Sequence, residues 1–282
     1  MADSASAWPE IPEVEFLTKY SNISKEEALA RIEQVKDALR RDGQHLYKCI
    51  EHGTFGNSKI NRHPFYRQLL ELSRSPDFRF LELGCCFGVD TRKLIHDGVD
   101  PAKLSVSDLS DVYWNLGRDI LFAGDEPSVE RVFGDFTTAE SSSDLPHIVS
   151  AHGWVEKFDA VSAFAILHCL SKEQTDQFLV NCFQSLKWGG NLIGWCVGTL
   201  NSAGSTTNVM TPTKGLPGRE ERPRFLHTAD SLLLYLHSIG FSQVRVTVSL
   251  RHIPGADNAS YFGELKPSFL VFSATKLKKP AA

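Results

Sequence analysis

The chain has 282 residues, 42% of them hydrophobic, and a formal net charge of -4. That is enough apolar material for one sizeable core, and an acidic balance without a basic stripe argues against nucleic-acid or polyphosphate backbones as partners. Six cysteines without a C-x-x-C spacing argue against zinc and for a reduced, cytoplasmic setting; no leader pattern and no apolar run of about 18 residues points to a membrane.

Taken in chain order, Ser24-Lys25-Glu26-Glu27 has the pattern of a capping box, and Ala28, Ile32, Val35 and Leu39 follow at helical spacing until Asp42-Gly43. Leu46 to Asn61 shows no clear period. Pro64 then suits a first helical turn, with Phe65, Leu69 and Leu72 on one face. Residues 1–75 are therefore expected to form an N-terminal helical extension, a candidate lid, ahead of a main α/β domain over 76–282.

In that domain Phe78, Phe80, Leu81 and Leu83 read as a buried parallel strand. Gly84 and Gly88 permit a tight turn with close ligand approach, and Thr91 to Ile95 begin a helix. Further strands are expected over 103–108, 131–136 and 158–163, with a fifth over 192–197 after a Trp188-Gly189-Gly190 turn. Thr199 to Pro223, rich in Gly and Pro, reads as a long loop. Ala229 to Ile239 is a helix stopped by Gly240, residues 244–248 and 269–272 close the sheet, and Lys276 to Lys279 read as a solvated end.

The glycine turn carries the chemistry. Gly84-x-x-x-Gly88 cannot be laid over G-x-G-x-x-G, and Val89-Asp90 after Gly88 is not the Gly-Lys-Ser/Thr of a phosphate loop. Glu82 and Asp90 would repel phosphate and suit a cofactor with a cationic end. Asp108, about twenty residues past the turn, is placed to accept two ribose hydroxyls. Asp135 is placed to accept from an adenine amino group, with Phe136 against the ring.

Glu82-x-Gly84-x-x-x-Gly88, Asp108, Asp135 and Leu186-Lys187-Trp188-Gly189-Gly190 together resemble the motifs of the class I S-adenosylmethionine-dependent methyltransferases. GCCFGVDTRKLIHDG from Gly84, with HPFY at His63 to Tyr66 and RFLHTADS from Arg224, is similar to small fungal secondary-metabolite methyltransferases of the meroterpenoid type. The resemblance implies a Rossmann-like seven-stranded fold, S-adenosylmethionine as cofactor and a small-molecule acceptor, methylated on a carboxylate or hydroxyl oxygen. It implies a cofactor site of Glu82, Gly84, Cys85, Cys86, Gly88, Asp108, Leu109, Asp135, Phe136 and Ala163.

On the acceptor side, His168 just past the fourth strand is the candidate base for a protonated acceptor, and a carboxylate needs none. Tyr66, Arg224 and His227, with Arg219, Arg222, Tyr47, Phe55 and His63 nearby in the sequence, are candidates for holding the acceptor, since guanidinium pairs well with carboxylate. A methyltransferase-like binding or partner protein without catalysis is the alternative. The retention of Glu82, Gly84, Gly88, Asp108 and Asp135 favours the enzyme.

Overall fold

Four short segments become parallel strands, the inner ones buried on both faces as runs such as Phe80-Leu81-Glu82-Leu83 dictate and the edge one half-exposed. They are β1 (Phe80–Leu83), β2 (Leu104–Asp108), β3 (Glu130–Phe133) and β4 (Phe158–Phe164). The computed structural model describes residues 14–139, 147–201, 205–212, 219–249 and 266–277, with Lys48, 205–212 and 219–223 described by backbone alone. β5 (Leu186–Thr199), β6 (Ser205–Pro212), β7 (Arg219–Leu226), β8 (Ser242–Ser249) and β9 (Pro267–Thr275) complete the strands.

Seven of them form one sheet in the order β3-β2-β1-β4-β5-β9-β8. β1 pairs in parallel with both β2 and β4, so the strand order reverses at β1, and the crevice beyond its carboxyl end is the expected ligand position. β9 runs antiparallel to both of its neighbours.

The seven strands match the expected architecture, with two local corrections. β5 starts at Leu186, so the expected Trp188-Gly189-Gly190 turn is an irregularity within the strand, where the β4 register jumps from Phe158–Leu186 to Ala160–Asn191. Thr199 to Pro223 is no long loop: β6 and β7 form a separate antiparallel hairpin in which Asn208 faces Pro223. An isolated two-stranded ladder tolerates proline because half of its backbone groups face no partner, and proline is what made the segment read as a loop.

The helices preceding β1 are α1 (Glu15–Ser21), α2 (Lys25–Arg41), α3 (Lys48–Glu51) and α4 (Tyr66–Leu72). Ser24 caps α2 by accepting from the Glu27 N–H at 3.1 Å, but the reciprocal half of the box is replaced by a Glu27–Arg31 ion pair at 2.6 Å. The apolar face of α2 is buried at Ala28, Ile32, Val35 and Leu39, each large side chain contributing about 1.5–3 kcal/mol. Its partners are Phe16 and Leu17 of α1, then Phe55, and beyond them Phe87, Val89, Tyr113 and Phe122 of the main domain. The extension thus packs on the residues around the glycine turn.

α5 (Val89–His96), α6 (Val112–Leu116), α7 (Ile148–Ala151), α8 (Lys172–Ser185) and α9 (Ala229–Ile239) flank the sheet. α8 and α9 each begin with a full capping box, Ser171 with Gln174 and Thr228 with Ser231, and Gly240 closes α9 at φ +117°. Lys276 is not solvated as expected. It is buried between Phe183 and Trp188, with its ammonium donating to the Leu186 carbonyl at 2.8 Å.

Candidate cofactor and acceptor site

The turn after β1 is built by hydrogen bonds to β2. Gly84 and Cys85 donate their N–H groups to the Ser107 carbonyl, and Cys86 donates to Asp108 Oδ2 at 2.8 Å. Gly84 has φ +67° and Gly88 φ +70°, conformations that favour glycine, and neither has room for a side chain. A Cβ at Gly84 would lie 2.8 Å from Ile166, and one at Gly88 would lie 2.6 Å from both Arg92 and Trp114. Cys86 also sits at φ +48°, a conformation that costs a non-glycine residue about 1 kcal/mol. Its bond to Asp108 offsets that strain. The Cys85 side chain is core, packed with Val106 and Trp114.

Arg92 clamps the turn from below. It is fully buried, and its guanidinium donates to the carbonyls of Phe87, Gly88 and Asp125 and to the Asp125 carboxylate at 2.9 Å. It lies 4.0 Å over the Phe122 ring. Asp125 also accepts from the Tyr20 hydroxyl at 3.0 Å, which joins α1 to the same network. Nothing in the sequence pattern singled out this role for Arg92, because its charged partner Asp125 lies 33 residues away.

The two acids beside the turn are buried, not open to solvent. Glu82 accepts from the Thr91 hydroxyl, and burial, then the Asp90 carboxylate, push its carboxyl well up from the ordinary range. Asp90 faces the N-terminal extension: its Oδ1 accepts from the Ser58 hydroxyl at 2.8 Å, the Lys59 N–H at 2.6 Å and the Ile60 N–H at 3.1 Å. Asp90 is therefore a latch for residues 58–60, not a phosphate-repelling charge at the turn.

Asp108 lies at the end of β2 with Oδ1 accepting from the Leu109 N–H at 2.7 Å and Oδ2 accepting from Cys86. Burial pushes its carboxyl up. Each oxygen keeps a further lone pair, which is the acceptor set that a vicinal diol requires. Leu109 beside it is 67% exposed, an apolar side chain at the strand ends with little protein against it. Asp135 lies just beyond β3, shorter than expected, and its Oδ1 accepts from the Thr137 N–H and hydroxyl, leaving Oδ2 over. Phe136 is a correction: its ring packs inward on Phe178 and Trp154 at 5.5 and 6.5 Å and is a core side chain. Ala163 is buried next to Leu83 in the β4–β1 ladder.

Past β4, Ala165 takes φ +60° and turns the chain into a one-turn helix, Leu167–Cys169. His168 Nδ1 accepts the Val197 N–H at 3.2 Å, and its ring stacks on Trp195 at 6.4 Å. A backbone N–H only donates, so the neutral ring carries its proton on Nε2. Burial, then the charges of Arg224 and Lys59, push its pKa down to about 3. The ring is thus a neutral hydrogen-bond donor. Its one basic nitrogen is engaged, which opposes the expected general-base role.

Of the residues expected around an acceptor, the structure brings Tyr47 and Arg224 to this place. The Tyr47 ring lies 5.9 Å from that of Tyr113, and burial raises the Tyr47 hydroxyl pKa, with the neighbouring Cys169 and Asp108 adding to the rise. Four others are structural. The Tyr66 hydroxyl donates to Asp97 at 2.6 Å, tying α4 to α5. His63 Nδ1 accepts from the Phe65 N–H while Nε2 donates to the Phe272 carbonyl at 3.1 Å. Phe55 packs on Phe87 at 4.5 Å. His227 is buried at the start of α9, its Nδ1 against the Ser231 hydroxyl at 3.1 Å and its ring stacked on Tyr235. Arg219 and Arg222 have side chains outside the described residues. Lys59 and Trp195, which sequence reasoning passed over, stand at the His168 wall instead.

Among solved structures, phosphoethanolamine N-methyltransferase 2 of Haemonchus contortus, in complex with S-adenosyl-L-methionine, superposes over 86% of this chain and 60% of its own, with a TM-score of 0.51 and 16% identity. The chain has the class I methyltransferase fold. In sequence it is 34% identical over 129 residues to methyltransferase adrK of Penicillium rubens, covering 46% of this chain and 44% of that one. It is 35% identical over 104 residues to methyltransferase trt5 of Aspergillus terreus, covering 37% and 36%. O-methyltransferase atr3 of Stereocaulon alpinum is 32% identical over 106 residues, covering 37% and 30%. The chain thus matches less than half the length of these curated relatives. No family model matches it. Among the described residues no helix is long and apolar enough to cross a membrane.

Proposed function

We propose that the chain is an S-adenosylmethionine-dependent methyltransferase that acts on an oxygen of a small hydrophobic molecule in secondary metabolism, a carboxylate in preference to a hydroxyl. The observation that carries the choice of acceptor is the Val197 N–H bonded to His168 Nδ1. A phenol or alcohol needs a base, and the best-placed histidine has no free basic nitrogen. A carboxylate arrives ionised, and no residue has to remove a proton from it.

The residues fit the cofactor. Asp108 has acceptor capacity for two ribose hydroxyls, the turn takes positive φ at Gly84, Cys86 and Gly88, and Leu109 offers an apolar face. Asp135 Oδ2 is the candidate acceptor for the adenine amino group. When bound, the cofactor supplies a methyl group already activated by a sulfonium. What the protein adds is alignment and exclusion of water, with His168 Nε2 as a donor that orients the acceptor. The resemblance of the sequence to fungal methyltransferases, one of them an O-methyltransferase, supports the reading.

The test is transfer of a labelled methyl group to a set of hydrophobic acids, phenols and amines. Base-labile label recovered from the acids is expected, because esters saponify. Label retained after base, on a phenol or amine, would sink the carboxylate reading.

A further inference from the structure

We propose that Lys59 is the residue that selects an anionic acceptor, and that Asp90 positions it. The proposal rests on the methyltransferase reading and adds to it the group that recognises the acceptor's charge.

Three observations converge. The Lys59 backbone is fixed, because the Asp90 carboxylate accepts from the Ser58 hydroxyl and from the Lys59 and Ile60 N–H groups. A one-turn helix, Ile60–Arg62, follows at once, with Ile60 fully buried. So placed, the half-buried side chain brings Nζ to 5.7 Å from the centre of the Trp195 ring, the ring that stacks on His168. Lys59 crosses from the N-terminal extension to the far wall of the site. Among the described residues its ammonium forms no ion pair and no hydrogen bond, and its contact is the aromatic face.

A half-buried ammonium held over an indole is attracted by the ring face and keeps its donors for an oxyanion. On the His168 side the groups around it are neutral or positive, His168 with its proton on Nε2, Cys169 a thiol raised by burial and Arg224 acting on both from the β7 side, while Asp108 acts on Cys169 from the turn side. The carboxyls of the site lie on the turn side: Glu82 is buried and accepts from Thr91, and half-buried Asp108 accepts from Cys86 and Leu109 and keeps a lone pair on each oxygen. The pocket is therefore divided. Its turn side presents the Asp108 acceptors, suited to the hydroxyls of the cofactor, and its His168–Trp195 side presents the Lys59 ammonium, suited to a carboxylate. A neutral phenol gains nothing from that division.

Asp90 enters as a positioning residue. Removing its carboxylate frees the N–H groups of Lys59 and Ile60 and lets the side chain leave Trp195.

The experiment uses calorimetry on the full chain saturated with S-adenosylhomocysteine, titrated with naphthoate, cinnamate and decanoate and with their methyl esters as uncharged controls. The wild-type protein is expected to bind at least one acid more tightly than its ester, and Lys59→Met to weaken that acid by about ten-fold or more with the ester unchanged. Lys59→Arg is expected to restore most of the preference, and Asp90→Asn to lose it in part. Equal binding of the acid by the wild-type and Lys59→Met proteins overturns the proposal, as does a wild-type protein without preference for any acid over its ester. Unchanged S-adenosylhomocysteine affinity in Lys59→Met is the control for folding. Failure of the wild-type protein to bind S-adenosylhomocysteine at all counts against the methyltransferase reading itself.

Discussion

Cys86 donates its backbone N–H to Asp108 Oδ2 at 2.8 Å, joining the glycine turn to the end of the neighbouring strand. One carboxylate both holds the strained φ +48° residue and presents the acceptors for a ribose. Asp108→Asn replaces one acceptor oxygen by a donor and removes the charge from the bonds that remain. Hydrogen bonds to charged groups contribute about 1.5–3 kcal/mol each, so S-adenosylhomocysteine affinity is expected to fall by about 10- to 100-fold. Calorimetry checks this, with circular dichroism to show that the fold persists. An affinity within two-fold of wild type, to order of magnitude, would mean that the carboxylate does not touch the cofactor.

Arg92→Met keeps the volume of the side chain and removes every donor that holds Phe87, Gly88 and Asp125. Buried carbonyls left without a partner cost about 1–3 kcal/mol. Since Asp125 is 44% exposed and water can reach it, the expected loss is about 3 kcal/mol, well short of the sum. Urea melts report it. A change below about 1 kcal/mol would show that aromatic packing on Phe122 and Trp114, and not hydrogen bonding, holds the turn.

His168→Asn retains an acceptor for the Val197 N–H and loses the Nε2 donor, whereas His168→Ala leaves that N–H unpaired. The asparagine variant is expected to keep the wild-type melting temperature and to lose about ten-fold in turnover, the alanine variant to lose about 1–3 kcal/mol of stability besides. Neither change is expected to alter a flat pH–rate profile above pH 6. A wild-type rate that climbs through a group near 6.5 and goes flat in His168→Asn would restore the base.

The same ring affects stability. The His168 pKa is lowered from 6.5 to about 3 and that of His227 to about 4, both chiefly by burial. Above pH 6.5 both rings are neutral in either state. As the pH falls below that value the unfolded chain takes up protons that the native rings refuse, so stability drops, by about 1.4 kcal/mol per pH unit for each histidine. The drop levels off near pH 4 for His227 and near pH 3 for His168. A His168→Asn, His227→Asn double variant is expected to show a shallower loss between pH 6 and 4 in denaturant melts, and an unchanged slope would refute it.

The strands and the turn were legible because burial on both faces leaves an apolar run and a positive φ leaves a glycine. Asp108 was legible through its spacing from that turn. The acceptor side was not. Tyr66, His63 and His227 are polar residues in the right part of the chain, and their partners, Asp97, the Phe272 carbonyl and Ser231, become visible only when distant segments meet. Lys59 sits in an aperiodic stretch whose course is set by Asp90, 31 residues on. Phe136 differs from the expectation because β3 ends at Phe133: it lies in the turn beyond the strand, where its ring reaches Phe178 and Trp154.

The division at residue 75 and the lid role of the extension follow as a proposal from the packing of α1, α2 and Phe55 on Phe87, Val89 and Tyr113. Cofactor that orders the turn is expected to protect residues 14–70 from amide exchange. Equal protection with and without it would make the extension a fixed buttress.

The central claim, that the Gly84–Gly88 turn and Asp108 hold S-adenosylmethionine, is tested most directly by calorimetric titration of the purified chain with S-adenosylhomocysteine. The account predicts saturable one-site binding in the micromolar range, about 8 kcal/mol, that Asp108→Asn weakens. A wild-type protein that gives no binding heat, or a site that Asp108→Asn leaves unchanged, would contradict it.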